Sequence, residues 1–311
     1  MDLPTQHPPA LRRGDMIAVV APAGPLEKRE LFDRGIATVE RLGFRARFEE
    51  RLFNRHRYMA GADDARAEEL MQAFEAPEVR GVIAMRGGYG CSRLIPLLDE
   101  KRLRRHCKIF MGYSDLTTLH LYFRRRFGWV SVHGPMIATP GLAEIEPPEE
   151  EHLLRLWMDP DYLPRFAAPE LEVWHPGIAE GRLTGGCLSL LLASLGTAYE
   201  IQTEGKILFI EDLGEPPYRL DRMLTQLRTA GKLDGIAGLI LGSFEECDPA
   251  NGGYTAADVL RDILEGLQVP TVAGFPAGHG PINRAIPLGL HLRLDADRRC
   301  LEFLEPLVVP P

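Results

Sequence analysis

The sequence predicts a two-domain α/β fold, and three observations carry that prediction. Apolar runs of strand length alternate with helically spaced apolar residues through the first half, the rhythm of parallel strands joined by crossover helices. At 311 residues the chain is long for one hydrophobic core, since domains usually run to roughly 100–200 residues. A stretch dense in proline and acidic residues, TPGLAEIEPPEEEHLLRLWMDPDYLP, interrupts the rhythm near the middle. We therefore expect an N-terminal domain with a wound, mostly parallel sheet over 1–140, a linker over 141–170, and a second mixed α/β domain over 171–311.

The elements follow in order. MIAVVAP at 16–22 is a buried-type strand, and 26–42 and 63–74 carry apolar residues at helical spacing. GVIAMRGG at 81–88 is a second strand, followed by a short helix near 92–98. KIFMGYSD at 108–115 is a third strand that runs straight into the helix LTTLHLYFRRRF, and WVSVH at 129–133 is a fourth. The second half reads as strand GRLTGG, helix CLSLLLASL, strand KILFIED, helix YRLDRMLTQLRTA, strand IAGLILGSF, helix AADVLRDILEGL and strand TVAGFPAG. Two closing strands, LGLHLRLDAD and CLEFLEP, suit antiparallel pairing better than winding. No repeat, low-complexity tract or long heptad run is present, which excludes solenoids and coiled coils.

Composition narrows the function. With 45% hydrophobic, 26% charged and 8% aromatic residues the chain is an ordinary globular protein. Its net charge of -8 disfavours a phosphate-tracking surface, so no nucleic acid polymer is expected as a partner. The basic runs at 101–105 and 124–126 flank apolar periodic segments and read as solvated helix ends. The first apolar run is far too short to span a bilayer and no leader pattern precedes it, so no membrane is expected and a cytoplasmic location is. Five cysteines, Cys91, Cys107, Cys187, Cys247 and Cys300, form no CxxC spacing and suit free thiols in a reducing compartment. The histidines fall at neither HxH nor HxxxH spacing, and no metal or other cofactor is expected.

Four segments have the chemistry of an acyl-transfer site. In GYSD, Ser114 stands on a tight turn between a strand and a helix, exposed at the strand's carboxyl end and facing a helix N-terminus. The GxSxG elbow pattern is absent, because Leu116 occupies the position of its second glycine, and Ser114 or Asp115 would equally serve as a helix cap. In RGGYG, Gly87, Gly88 and Gly90 follow a strand and let backbone N–H groups converge on an anion. The run matches neither GxxxxGK[ST] nor GxGxxG, so an oxyanion hole suits it better than a nucleotide loop. Glu211 ends an apolar strand, and His279 stands between two glycines after another, which suits it to act as a base; His120 and His133 read as packing groups. The order Ser114, Glu211, His279 is compatible with a triad, whose members meet in space rather than in sequence.

Taken jointly, VVAPAGP, YMAGADDARAEEL, RGGYG, GYSD, VHGPM, EGRLTGGCLSLLLASLGTAYE, FIEDLGEPPYRLDRML and GFPAGHG with AIPLG resemble the LD-carboxypeptidase family of murein tetrapeptide carboxypeptidases and microcin C immunity peptidases. These pieces span nearly the whole chain; Cys187 departs from the asparagine that many members carry there. The resemblance implies that Ser114 attacks the peptide carbonyl, His279 moves its proton, Glu211 orients the imidazole, and the N–H groups of Asp115 and Gly87, favoured over Gly88, hold the oxyanion. It also implies a wound, flavodoxin- or Rossmann-like N-terminal domain with a smaller β-rich α/β C-terminal domain, a small peptide substrate ending in a D-residue, and a homodimer.

A carboxypeptidase must neutralise the substrate's terminal carboxylate, and Arg86, Arg219 and Arg284 are candidates for that, with Gly88 also expected to bind substrate. Three alternatives stand beside this reading. A peptidyl or aminoacyl nucleotide substrate would need an aromatic platform such as Trp129 or Trp174; a non-catalytic module would hold only a small anion; a cysteine hydrolase would use Cys91 or Cys187.

Overall fold

The run MIAVV forms β1 (Met16–Val20), nearly all of it buried, as a central strand of a parallel sheet must be. The computed structural model describes residues 3–311. After β1 come α1 (Arg29–Arg41), β2 (Arg45–Arg47), α2 (Asp63–Glu75), β3 (Val79–Ala84), α3 (Cys91–Leu94), α4 (Glu100–Leu103), β4 (Ile109–Gly112), α5 (Thr117–Phe127), β5 (Ser131–His133), α6 (Pro140–Ala143) and α7 (Pro147–Met158). The helix α1 buries Phe32, Gly35, Thr38 and Val39, one face at three-to-four-residue spacing. Gly35 is required there, because a Cβ would lie 1.9 Å from the Ile137 carbonyl oxygen. Two aspartates, Asp63 and Asp64, open α2 where the helix dipole favours negative charge.

The chain continues with β6 (Arg165–Ala167), β7 (Glu172–His175), β8 (Ile178–Cys187), α8 (Leu188–Ala193), β9 (Ile207–Leu213), α9 (Pro217–Thr229), β10 (Gly238–Glu245), α10 (Ala256–Leu264), β11 (Thr271–Ala273), β12 (Ile286–Leu288), β13 (His291–Asp295) and β14 (Cys300–Phe303). Two sheets result. The first has the order β2-β1-β3-β4-β5-β12, and its pairs from β2 to β5 are all parallel. Its first five strands have the flavodoxin-type winding, whose switch point lies between β1 and β3. The second has eight strands, β6-β14-β13-β8-β9-β10-β11-β7, parallel from β8 to β11 and antiparallel at both flanks. The expected fold class is the one observed, including the antiparallel closing strands.

Contacts divide the chain into two units. One runs through Tyr162 and includes Arg284–Pro287 and Pro306–Pro311; the smaller comprises Leu163–Asn283 and Leu288–Glu305. The proline- and acid-rich stretch contains α6 and α7 and is followed by β6, with Pro147 and Pro148 in the first turn of α7, where the missing N–H has no helical partner to lose. Several element boundaries differ from expectation for local reasons. The helix near 92–98 is a four-residue α3 followed by a 3-10 turn with Pro96 in its first positions. The strand in TVAGFPAG stops at Ala273, before Gly274 at φ +80°. The three residues of β2, Arg-Ala-Arg, carry no strand pattern and pair only at the sheet edge.

Candidate active site

Ser114 follows β4 at the start of a 3-10 turn, Ser114–Leu116, that leads into α5. Its φ is +62°, the left-handed region, which a side chain occupies at a cost of about 1–3 kcal/mol and keeps only where its surroundings enforce it. Those surroundings are legible in the glycines. A Cβ on Gly112 would lie 2.8 Å from Leu116 Cγ and 3.3 Å from Ala84 Cβ, so Leu116 folds back on the turn it follows. That packing accounts for leucine at the position of the elbow's second glycine. Beneath the turn, His120 Nε2–H donates to the Gly112 carbonyl at 2.9 Å, and Nδ1 accepts from the Ser131 hydroxyl at 2.8 Å. Burial pulls the His120 pKa down to about 4, which keeps the ring neutral in this tautomer. His120 therefore braces the turn, and buried His133 lies beside the Tyr113 ring at 5.9 Å between centroids.

The glycine loop after β3 meets the serine. A Cβ on Gly87 would stand 2.8 Å from Ser114 Cβ and 2.9 Å from its Oγ, so only glycine fits. The loop is held from two sides. Gly24 N–H donates to the Gly87 carbonyl at 3.0 Å, and the buried Asp115 carboxylate accepts from the Cys91 N–H at 2.8 Å. Gly88 and Gly90 take φ +114° and +144°. In the first unit the structure thus brings together Ser114, Asp115 and Gly87, with Gly88 and Arg86 at the rim.

In the second unit Glu211 and His279 come together. Glu211, on β9, is fully buried, and its Oε2 accepts from His279 Nδ1–H at 2.6 Å. Burial raises the Glu211 carboxyl above the ordinary range, and its contact with His279 only partly offsets this. Burial works to lower the imidazole, but the hydrogen bond and charge of Glu211, with Asp212 and Glu245 nearby, outweigh it and leave His279 above its ordinary value. The loop carrying His279 admits no side chain beside this pair. A Cβ on Gly278, at φ +116°, would lie 2.6 Å from Glu211 Oε2, and one on Gly242 would lie 2.5 Å from the Ala277 carbonyl oxygen.

Two residues that the sequence did not single out fasten this loop. Ser243 Oγ accepts from Gly280 N–H at 2.9 Å, and Asn283 Oδ1 accepts from Gly278 N–H at 3.0 Å. Neither lies in a recognisable pattern; the only hint is the glycine on either side of His279. Asp212 accepts from Ser189 N–H at 2.8 Å, tying β9 to the start of α8, while its neighbour Glu211 meets Cys187 in register across β8 and β9.

The remaining candidates are placed as follows. Arg86 pairs with Glu27 at 2.5 Å; Arg219 pairs with Glu215 at 3.4 Å one turn away on the surface; Arg284 Nε meets both Glu149 carboxylate oxygens at 3.0 and 3.1 Å. Cys91 and Cys187 are buried, and burial pushes both thiols well above the ordinary range, which removes them as nucleophiles. Among the described residues no group of three or more His, Cys, Asp or Glu is placed to hold a metal ion, and no helix is long and apolar enough to cross a membrane.

A strand-end serine, a backbone anion cradle and a carboxylate-bound imidazole are the working parts of serine-type acyl transfer. Residues 17–134 match the LD-carboxypeptidase N-terminal domain and residues 180–294 the LD-carboxypeptidase C-terminal domain, and the chain belongs to that family of serine carboxypeptidases. It is 39% identical over 285 residues to a probable murein peptide carboxypeptidase of Bacillus subtilis, covering 91% of this chain and 89% of the relative. The crystal structure of muramoyltetrapeptide carboxypeptidase from Oxalobacter formigenes superposes with a TM-score of 0.82 at 30% identity, covering 95% of this chain and all of that one. The microcin C7 self-immunity protein MccF of Escherichia coli is 26% identical over 94% of each chain. A structure of MccF in complex with glutamyl sulfamoyl guanosine has a TM-score of 0.90 at 24% identity over 97% of this chain and 99% of that one, a likeness of fold. Membership in an enzyme family sets aside the non-catalytic anion-binding alternative.

Proposed function

We propose that the protein is an LD-carboxypeptidase that removes the C-terminal D-alanine from a murein tetrapeptide, leaving the tripeptide, through Ser114, His279 and Glu211. The observation that carries this is the 2.6 Å contact between His279 and wholly buried Glu211. It keeps the proton on Nδ1, so that Nε2 of the neutral ring holds the lone pair a base needs.

Ser114 Oγ attacks the scissile carbonyl carbon as His279 Nε2 takes its proton. The N–H groups of Asp115 and Gly87 stabilise the resulting oxyanion, each donor worth about 3 kcal/mol of barrier. The imidazolium protonates the departing amine of D-alanine, leaving the peptide as an ester on Ser114. Water, deprotonated by His279, then attacks the ester and frees the tripeptide and the serine.

The names of the Bacillus and Oxalobacter relatives support a murein peptide as substrate. An aminoacyl nucleotide has the likeness to MccF behind it, but neither tryptophan favours it. Trp129 is buried among Phe74, Phe123 and Phe127, and Arg261 already stacks on Trp174 at 4.8 Å. The reading includes a cytoplasmic homodimer: all five cysteines are free, as a reducing compartment allows, and the family resemblance carries the dimer, which sedimentation would test.

The test is D-alanine release from L-Ala-D-Glu-meso-diaminopimelate-D-Ala, followed by mass spectrometry. Wild type should release it, and Ser114→Ala and His279→Ala should lose nearly all activity. An intact tetrapeptide with wild type, or full activity in either variant, would refute the proposal.

A further inference from the structure

A cavity of about 730 Å³ opens at the switch point of the first sheet, where wound α/β folds bind their ligands. Gly24 and Pro25, after β1, form one wall, and Arg86 and Gly88, after β3, form another. Gly88 adjoins Gly87, so the cavity begins one residue from the backbone that touches Ser114. A substrate reacting at Ser114 can extend into it.

The third wall is a hairpin tip bearing Arg55, Arg57 and Tyr58. His56 and Met59 exchange backbone hydrogen bonds at 2.9 and 3.0 Å, which closes the turn and holds Arg57 at φ +57°. Ala60 N–H then donates to the Ala23 carbonyl at 2.9 Å, fastening the hairpin to the loop after β1. Exposed Tyr58 and Tyr89 stand together, ring centroids 5.8 Å apart. Solvated surface arginines require neither a concave setting nor a left-handed backbone.

Charge identifies the ligand class. Arg86 is neutralised by Glu27 at 2.5 Å. Among the described residues Arg55 reaches only the Leu26 carbonyl, at 3.2 Å, and neither Arg55 nor Arg57 has a carboxylate within ion-pair distance. Two uncompensated guanidinium groups thus share a cavity in a chain of net charge -8. We infer that this cavity is a subsite for an acidic peptide, in which Arg55 and Arg57 take carboxylates carried by residues other than the departing one and the tyrosine rings cover the intervening aliphatic chain. The inference rests on the proposed function only in placing the reacting end of the peptide at Ser114.

Equilibrium binding on a Ser114→Ala background separates the two. The probes are the tetrapeptide above and an analogue with its D-Glu and diaminopimelate carboxylates amidated and its terminal carboxylate kept. Amidation should weaken binding by about 10-fold or more, since a hydrogen bond between charged groups is worth that much. Arg55→Gln with Arg57→Gln should bring the acidic peptide to the affinity of the amide while moving the amide less than about 2-fold; the Arg→Lys pair should retain part of the difference. Equal affinity for both peptides, no binding of the acidic one, or an equal loss for both in the Gln pair would overturn the inference, as would a loss seen only with an aminoacyl sulfamoyl nucleotide. D-alanine release by wild type, measured alongside, reports on the proposed function: binding that behaves as expected without release sinks that function and keeps the subsite, and release without the binding difference does the reverse.

Discussion

Replacing Glu211 by Gln changes the candidate site by little more than one charge. The side chain keeps its shape in a fully buried position, but the 2.6 Å carboxylate contact to His279 Nδ1 becomes at best a neutral hydrogen bond. If the amide turns its NH₂ toward the ring, Nδ1 must accept, the proton moves to Nε2, and the base is lost. We expect kcat/KM to fall by about 10³–10⁴, or about 4–5.5 kcal/mol of transition-state stabilisation.

The pH profile should move with it. Burial alone lowers His279, and Glu211 is the chief group that raises it. In wild type the acid limb of kcat/KM therefore lies above the ordinary imidazole range, and in Glu211→Gln it should fall below. Stability carries a matching sign. Glu211 and His279 are both raised, so the folded chain binds protons more tightly than the unfolded one, and this contribution is lost as pH rises through their folded values. The melting temperature of wild type relative to the variant should accordingly decline from the ordinary carboxylate range to just past the ordinary imidazole range. Above that range the variant should be the more stable of the two, because wild type then holds a fully buried carboxylate beside a neutral imidazole while the variant holds no buried charge there. Stopped assays of D-alanine release and thermal melts across pH read both effects. An acid limb that stays in place, or a loss under about tenfold, would refute the roles assigned to this pair.

Further outcomes follow from the same geometry. Gly87→Ala drives a methyl to within 2.9 Å of Ser114 Oγ and should lower kcat/KM by about 10² or more, with an unchanged far-UV circular dichroism spectrum. Ser114→Gly removes the side chain that φ +62° penalises, so its melting temperature should exceed that of Ser114→Ala by an amount corresponding to about 1 kcal/mol, both variants being inactive. Iodoacetamide should leave D-alanine release by the folded enzyme within about 2-fold of untreated protein, because buried Cys91 and Cys187 hold their thiols protonated.

Much of the fold was legible because strands and helices advertise themselves locally. MIAVV, GVIA and ILFI are continuous apolar runs, the mark of strands covered on both faces, and helices such as α1 and α9 repeat their apolar residues at helical spacing. Arg-Ala-Arg in β2 has no such mark, since an edge strand of three residues needs only a neighbour's free backbone. Single residues of the candidate site were legible for a related reason: a serine, a carboxylate or a glycine-flanked histidine stands out where an apolar run gives way to polar residues, although β9 does not end at Glu211 as expected but runs on to Leu213.

What the sequence by itself determined was therefore most of the elements, the polar residues that close their apolar runs, and a net charge of -8. Tertiary structure alone decided which ends meet. It paired Glu211 with His279 across 68 residues, recruited Ser243 and Asn283 to hold the loop, returned β12 to the first sheet, and set the hairpin of Arg57 beside the switch point. Periods of 2 and 3.6 residues record which side of an element faces the core; strand order, and with it every contact between distant residues, is settled only when the elements pack.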